Sequence, residues 1–90
     1  MAFSYSDKNF TVVGNLCFVH INVKSKNVNY YIPQAIADRM LIKRLACTYL
    51  SYNDNTVEIA NAIIINGVIR CKSIYDEGYL YCYFPIDSNK

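Results

Sequence analysis

Apolar and polar residues alternate with a period of two along much of this chain, and clusters of turn-forming residues separate the runs. Such alternation marks strands that pack one face and leave the other open. The sharpest case is Ile63-Ile64-Ile65 and Val68-Ile69-Arg70-Cys71 on either side of Asn66-Gly67. A two-residue type I′ turn needs positive φ at both central positions, and Asn-Gly adopts it with little strain. The β-branched neighbours favour a pleated backbone. A hairpin is therefore predicted here. Gly78-Tyr79-Leu80-Tyr81-Cys82-Tyr83-Phe84-Pro85 reads as a third strand returning beside it, so that the last third forms a meander. A turn centred on Asp76-Glu77 would then set Cys71 directly opposite Cys82.

Upstream, Phe10-Thr11-Val12-Val13 and the run Leu16 to Val23 flank Gly14-Asn15, and Gly at the first central position suits a type II′ turn. The longer strand puts Cys17, Val19, Ile21 and Val23 on one face, and Leu16, Phe18, His20 and Asn22 on the other. Lys24-Ser25-Lys26-Asn27 is a polar turn, and Val28-Asn29-Tyr30-Tyr31-Ile32 a short strand ended by Pro33, which lacks a ladder donor. Residues 34–51 support two readings. Ala37, Leu41, Leu45 and Tyr49 fall at helical spacing with Met40 beside them, and no Gly or Pro interrupts. The competing reading is a loop to about Met40 and then a strand through Thr48-Tyr49-Leu50. Tyr52-Asn53-Asp54-Asn55 is a turn cluster.

Parity in the last third divides the side chains cleanly. Ala60, Ala62, Ile64, Ile69, Cys71, Leu80, Cys82 and Phe84 share one face, which reads as core. Val57, Ile59, Ile63, Ile65, Val68, Arg70, Tyr79, Tyr81 and Tyr83 share the other. That second face is also largely apolar, and such sheets are usually covered on both sides. Size sharpens the point. A chain of 90 residues buries only roughly 60–65% of the surface its unfolded form exposes, yet 53% of this one is hydrophobic, with nine Tyr and four Phe. One domain that associates with copies of itself is the expected solution.

Charge removes one class of partner. The formal net charge is +2, and only Lys43-Arg44 are adjacent among the basic residues, so the dense cationic face of a nucleic-acid binder is missing. The four cysteines are separated by 29, 23 and 10 residues with no C-x-x-C, which reads as free buried thiols and no metal site. The N-terminal residues lack a signal-peptide pattern, and no apolar run approaches the ~18 residues of a membrane span. The expectation is a soluble chain made in the cytoplasm, with no membrane insertion.

Catalytic groupings are thin. The single histidine, His20, lies in a predicted strand, and only Asp76-Glu77 are adjacent carboxylates. Acid–base chemistry needs carboxylates in contrasting environments across a cleft, and no phosphate loop or metalloprotease motif is present. A non-enzymatic chain without cofactor is expected. Tyrosines are the remaining asset, because a flat ring with a polar tip suits recognition surfaces. Tyr52, Asn53 and Asp54 in one predicted loop, and Tyr75 and Asp76 in another, each set an aromatic ring beside polar groups. These five are the candidate ligand-binding residues.

Several phrases, in order, are similar to the distal receptor-binding modules of bacteriophage tail-fibre and baseplate proteins of the Gram-positive-phage type. Phe10-Thr11-Val12-Val13-Gly14-Asn15-Leu16-Cys17-Phe18-Val19 resembles the family's opening aromatic-x-x-x-Gly-Asn-x-Val-x-Val phrase. Tyr31-Ile32-Pro33 resembles the Leu-Pro that closes an early strand, and Ala62-Ile63-Ile64-Ile65-Asn66-Gly67-Val68-Ile69 the late hairpin. Tyr81-Cys82-Tyr83-Phe84-Pro85-Ile86 resembles the terminal strand. Gln34-Ala35-Ile36-Ala37 stands where the family commonly has Gly and a second Pro, so that region is remodelled; the family's frequent Trp is also missing.

The resemblance implies an all-β, jelly-roll-like antiparallel β-sandwich, with room for one short helix within 34–46, and it favours strand for residues 41–50. It implies a homotrimer at the virion tail tip that binds a host cell-surface saccharide. Tyr79, Tyr81, Tyr83, Ile63 and Ile65 are then the expected subunit interface. Two alternatives stand beside it: a purely structural trimerisation module, and a small intracellular phage protein that docks through a helix over residues 34–50.

Overall fold

A computed structural model describes residues 2–90 and shows a small all-β domain, 57% strand, with one short helix. The strands are β1 (Phe10–Val13), β2 (Leu16–Val23), β3 (Val28–Tyr31), β4 (Arg44–Tyr52), β5 (Val57–Ile65), β6 (Val68–Lys72) and β7 (Glu77–Pro85), and the helix is α1 (Gln34–Ala37). All seven strands join one sheet in the order β1-β2-β7-β4-β5-β6-β3, and every neighbouring pair is antiparallel. The sheet curls into a half-barrel, so both walls of the core belong to the same sheet.

Chain length enforces the curl. In a flat sheet β2 and β3, five strand positions apart in this order, would be separated by about 24 Å. The connection from Val23 to Val28 reaches about 18 Å when fully extended. Only a curled sheet brings the two ends close enough. The concave side holds the core, in which Val19, Ile21, Ile64, Ile69, Leu80 and Phe84 are buried together.

Both hairpin turns take the expected backbone. Asn66 and Gly67 sit at φ 51° and 78°, and Gly14 at φ 60°. The core parity also holds: Ala60, Ala62, Ile64, Ile69, Cys71, Leu80 and Phe84 are buried, and Cys82 is half-buried against them.

The C-terminal meander does not form. β6 has β5 on one side and β3 on the other, which leaves no edge for β7. β7 instead lies between β2 and β4. Cys71 consequently faces Ala62 and Val28, and Cys82 faces Val19, so the expected Cys71–Cys82 pairing is corrected.

Residues 34–51 are also resolved. The helix covers only Gln34–Ala37 and strand β4 begins at Arg44, so the strand reading of the later part holds and no docking helix spans 34–50. The C-terminal segment takes the backbone groups that a longer helix would use. Leu41 N–H donates to the Pro85 carbonyl, the Arg39 carbonyl accepts from Asp87 N–H, and Met40 bridges to Ile86. Met40 is thereby buried, while Leu41 is left 62% exposed.

Candidate functional site

Three connections gather at one end of the half-barrel: the β2–β3 turn, the β4–β5 turn and the segment from β6 to β7. Between them lies an open cleft of ≈ 320 Å³, lined by Lys26, Tyr52, Asn53, Asp54, Tyr75, Asp76 and Glu77. All five candidate ligand-binding residues therefore lie on one surface, although 20 or more positions separate the two loops in sequence. Tyr52 and Tyr75 are half-buried, whereas Asn53, Asp54 and Asp76 are exposed.

Each loop is held by identifiable bonds. Asn53 Oδ1 accepts from the N–H groups of Asn55 and Thr56, both at 2.9 Å, and from the Thr56 hydroxyl at 3.0 Å. This is the side-chain turn that Asn favours. Its carbonyl oxygen is thus committed to the loop, and its amide remains as a donor toward the cleft.

The second loop is held from inside the core. Ser51, fully buried at the end of β4, accepts from the N–H groups of Ile74 (3.1 Å) and Tyr75 (2.8 Å) and donates to the Glu77 carbonyl (3.3 Å). Two residues earlier on the same face, the Tyr49 hydroxyl shares a 2.7 Å hydrogen bond with the buried Ser73. Burial raises the Tyr49 phenol above its ordinary value, which keeps it neutral. Ser51, Ser73, Lys26 and Glu77 were not among the candidate ligand-binding residues read from the sequence. A Ser on the core side of a strand was the one available signal for Ser51, because a buried hydroxyl must find partners.

The five residues expected at an interface all lie on the convex face. Tyr79, Tyr81 and Tyr83 are 40%, 57% and 62% exposed, Ile63 is exposed and Ile65 half-buried. Across β2 and β7, Phe18 stands opposite Tyr83 and His20 opposite Tyr81. The His20 ring stacks near both Tyr79 and Tyr81, at 6.1 and 6.3 Å. Tyr79 also stands opposite Leu50, which stands opposite Ile59, so one apolar row crosses three strands. Ile63 and Ile65 lie away from that row, beside Ala46 and Arg44. Sequence reading missed Leu50, which joins the row.

The arrangement offers ring faces, an amide, carboxylates and one ammonium at a wet surface. Lone-pair and N–H groups beside aromatic faces can bind a polyhydroxylated ring, which presents hydroxyls at its rim and C–H bonds on its faces. Among the described residues no group of three or more His, Cys, Asp or Glu could hold a metal ion, and no helix is long and apolar enough to cross a membrane. Comparison with known proteins finds no match to this chain, whether among family models, curated proteins or solved structures.

Proposed function

We propose that this chain is a non-enzymatic adhesin domain that binds a host cell-surface saccharide in the three-loop cleft. The observation that carries the reading is the convergence of Tyr52, Asn53, Asp54, Tyr75 and Asp76 on one surface. Half-buried tyrosines offer rigid faces for stacking on a sugar ring, at little entropic cost. Asp54, Asp76 and Glu77 accept from sugar hydroxyls, and the Asn53 amide and Lys26 donate.

The domain acts in this reading as a homotrimer, the tip of a phage tail fibre or baseplate protein, with its convex faces turned toward a common axis. Support comes from the exposed row of Tyr79, Leu50 and Ile59 and from the ordered sequence phrases described above. Copies of the chain would cover side chains that a lone domain leaves in water.

Binding to a glycan array and to purified Gram-positive cell-wall polysaccharide tests the proposal. Tyr75→Ala and Tyr52→Ala are each expected to lower apparent affinity at least tenfold without changing subunit number. The exposed apolar row favours a second reading, a module that only holds three chains together. In that case neither polysaccharide nor array glycan is bound, while the trimer persists.

A further inference from the structure

The four cysteines fall into two classes. Cys17 and Cys71 are fully buried in the core, whereas Cys47 on β4 and Cys82 on β7 are only half-buried. Burial pushes the Cys17 and Cys71 thiols up to about 11, which makes them inert hydrophobes at neutral pH.

Register brings the other two together. β4 and β7 pair at Tyr52–Glu77, Ser51–Gly78 and Leu50–Tyr79, where their ladder ends. Continued three positions further, the same register sets Cys47 opposite Cys82. Both belong to the core-facing set of their strands and pack against the same cluster. Their thiols are neighbours: the Cys82 S–H favours the Cys47 thiolate and lowers that thiol, while the same contact and burial raise Cys82. A disulfide between them requires Cα atoms about 4.4–6.8 Å apart, a spacing close to that of facing positions on adjacent strands.

We propose that Cys47 and Cys82 form a redox-active pair, which a low-molecular-weight disulfide such as oxidised glutathione converts to an intramolecular bond that fastens β4 to β7 beyond the end of their ladder. The Cys47 thiolate attacks one sulfur of the oxidant; that S–S bond breaks and a glutathione thiolate leaves. Cys82 then gives its proton to solvent and attacks the Cys47 sulfur, expelling the second glutathione. The protein thiols lose two electrons, the oxidant gains them, and two molecules of reduced glutathione are released.

The chain lends itself to a decisive peptide map. Trypsin places Cys17, Cys47, Cys71 and Cys82 in four different peptides, with Cys47 in residues 45–70 and Cys82 in residues 73–90. After exposure of the full chain to oxidised glutathione, the expected result is residues 45–70 linked to 73–90, and free thiols reduced from four to two. The Tm should rise by about 10 °C. Cys82→Ala should instead retain one glutathione on Cys47. Stable separate adducts on the wild-type chain, a link through Cys17 or Cys71, a link between two chains, or four unmodified thiols would each overturn the proposal. The wild-type map decides the matter even if the variant fails to fold.

Discussion

Ser51 ties the last turn of β4 to the loop that carries Tyr75, through three hydrogen bonds made with no solvent exposure. Removing the hydroxyl leaves the N–H groups of Ile74 and Tyr75 without their acceptor. Ser51→Ala should therefore cost about 1–3 kcal/mol, read by urea denaturation, and should loosen the cleft it supports. Asp7 plays a comparable part near the N-terminus, accepting from the N–H groups of Asn9 (2.8 Å) and Phe10 (2.7 Å) at the entry to β1. Desolvation opposes its charged form, but those donors and the Tyr5 hydroxyl outweigh it and lower its pKa. A carboxylate with a depressed folded-state pKa stabilises fully above its unfolded value near 4 and loses that contribution as pH falls through the folded value. Acid titration of thermal stability should show this limb, and Asp7→Asn should flatten it. The Asp7 role was not legible in the sequence, and for Ser51 only its place on the core side of a strand hinted that it needs partners. A serine or aspartate reads the same whether it faces solvent or a backbone donor, and only the fold supplies the donor.

Strands and turns were legible because each depends on neighbours in sequence: Asn66-Gly67 dictates its own backbone, and alternation marks each packed face. Strand order was not. Local pattern says that Gly78–Pro85 is a strand, but nothing in it distinguishes a place beside β6 from one between β2 and β4. The helical spacing over residues 37–49 left two readings open for a related reason, since hydrogen bonds from a distant segment, residues 85–87, hold the backbone of residues 39–41 out of a helix. The join between β4 and β7 depends on Gly78. A Cβ there would lie 2.8 Å from the Leu50 carbonyl oxygen and 3.1 Å from the Tyr49 ring. Backbone cannot yield as a flexible side chain does, so Gly78→Ala should destabilise by about 1–3 kcal/mol. Chemical denaturation checks the magnitude. Amide exchange should also quicken at residues 77–79 relative to β5, because the ladder on this side is only three pairs long.

Taken as one body, the domain has a Cα envelope of 48 × 20 × 16 Å and one buried side, the concave one. Its convex side leaves Val57, Ile59 and Tyr83 more than 60% exposed, beside Leu50, Tyr79 and Tyr81. The candidate site was legible in kind, since aromatic and polar residues shared predicted loops, but its assembly from three connections required the actual strand order. Those connections lie at one end of the sheet, so a trimer with parallel axes presents three clefts together. Linked weak sites of this sort gain apparent affinity without new contacts. Charging the convex face should undo the assembly: Tyr79→Asp with Tyr81→Asp should yield single chains that retain strand structure by circular dichroism and bind a multivalent polysaccharide more weakly. Sedimentation equilibrium on the wild-type protein is the most direct test that the convex face is covered by copies of the chain. The account predicts a mass three times the 10.3 kDa of one chain; a stable species of single-chain mass at micromolar concentration would contradict it.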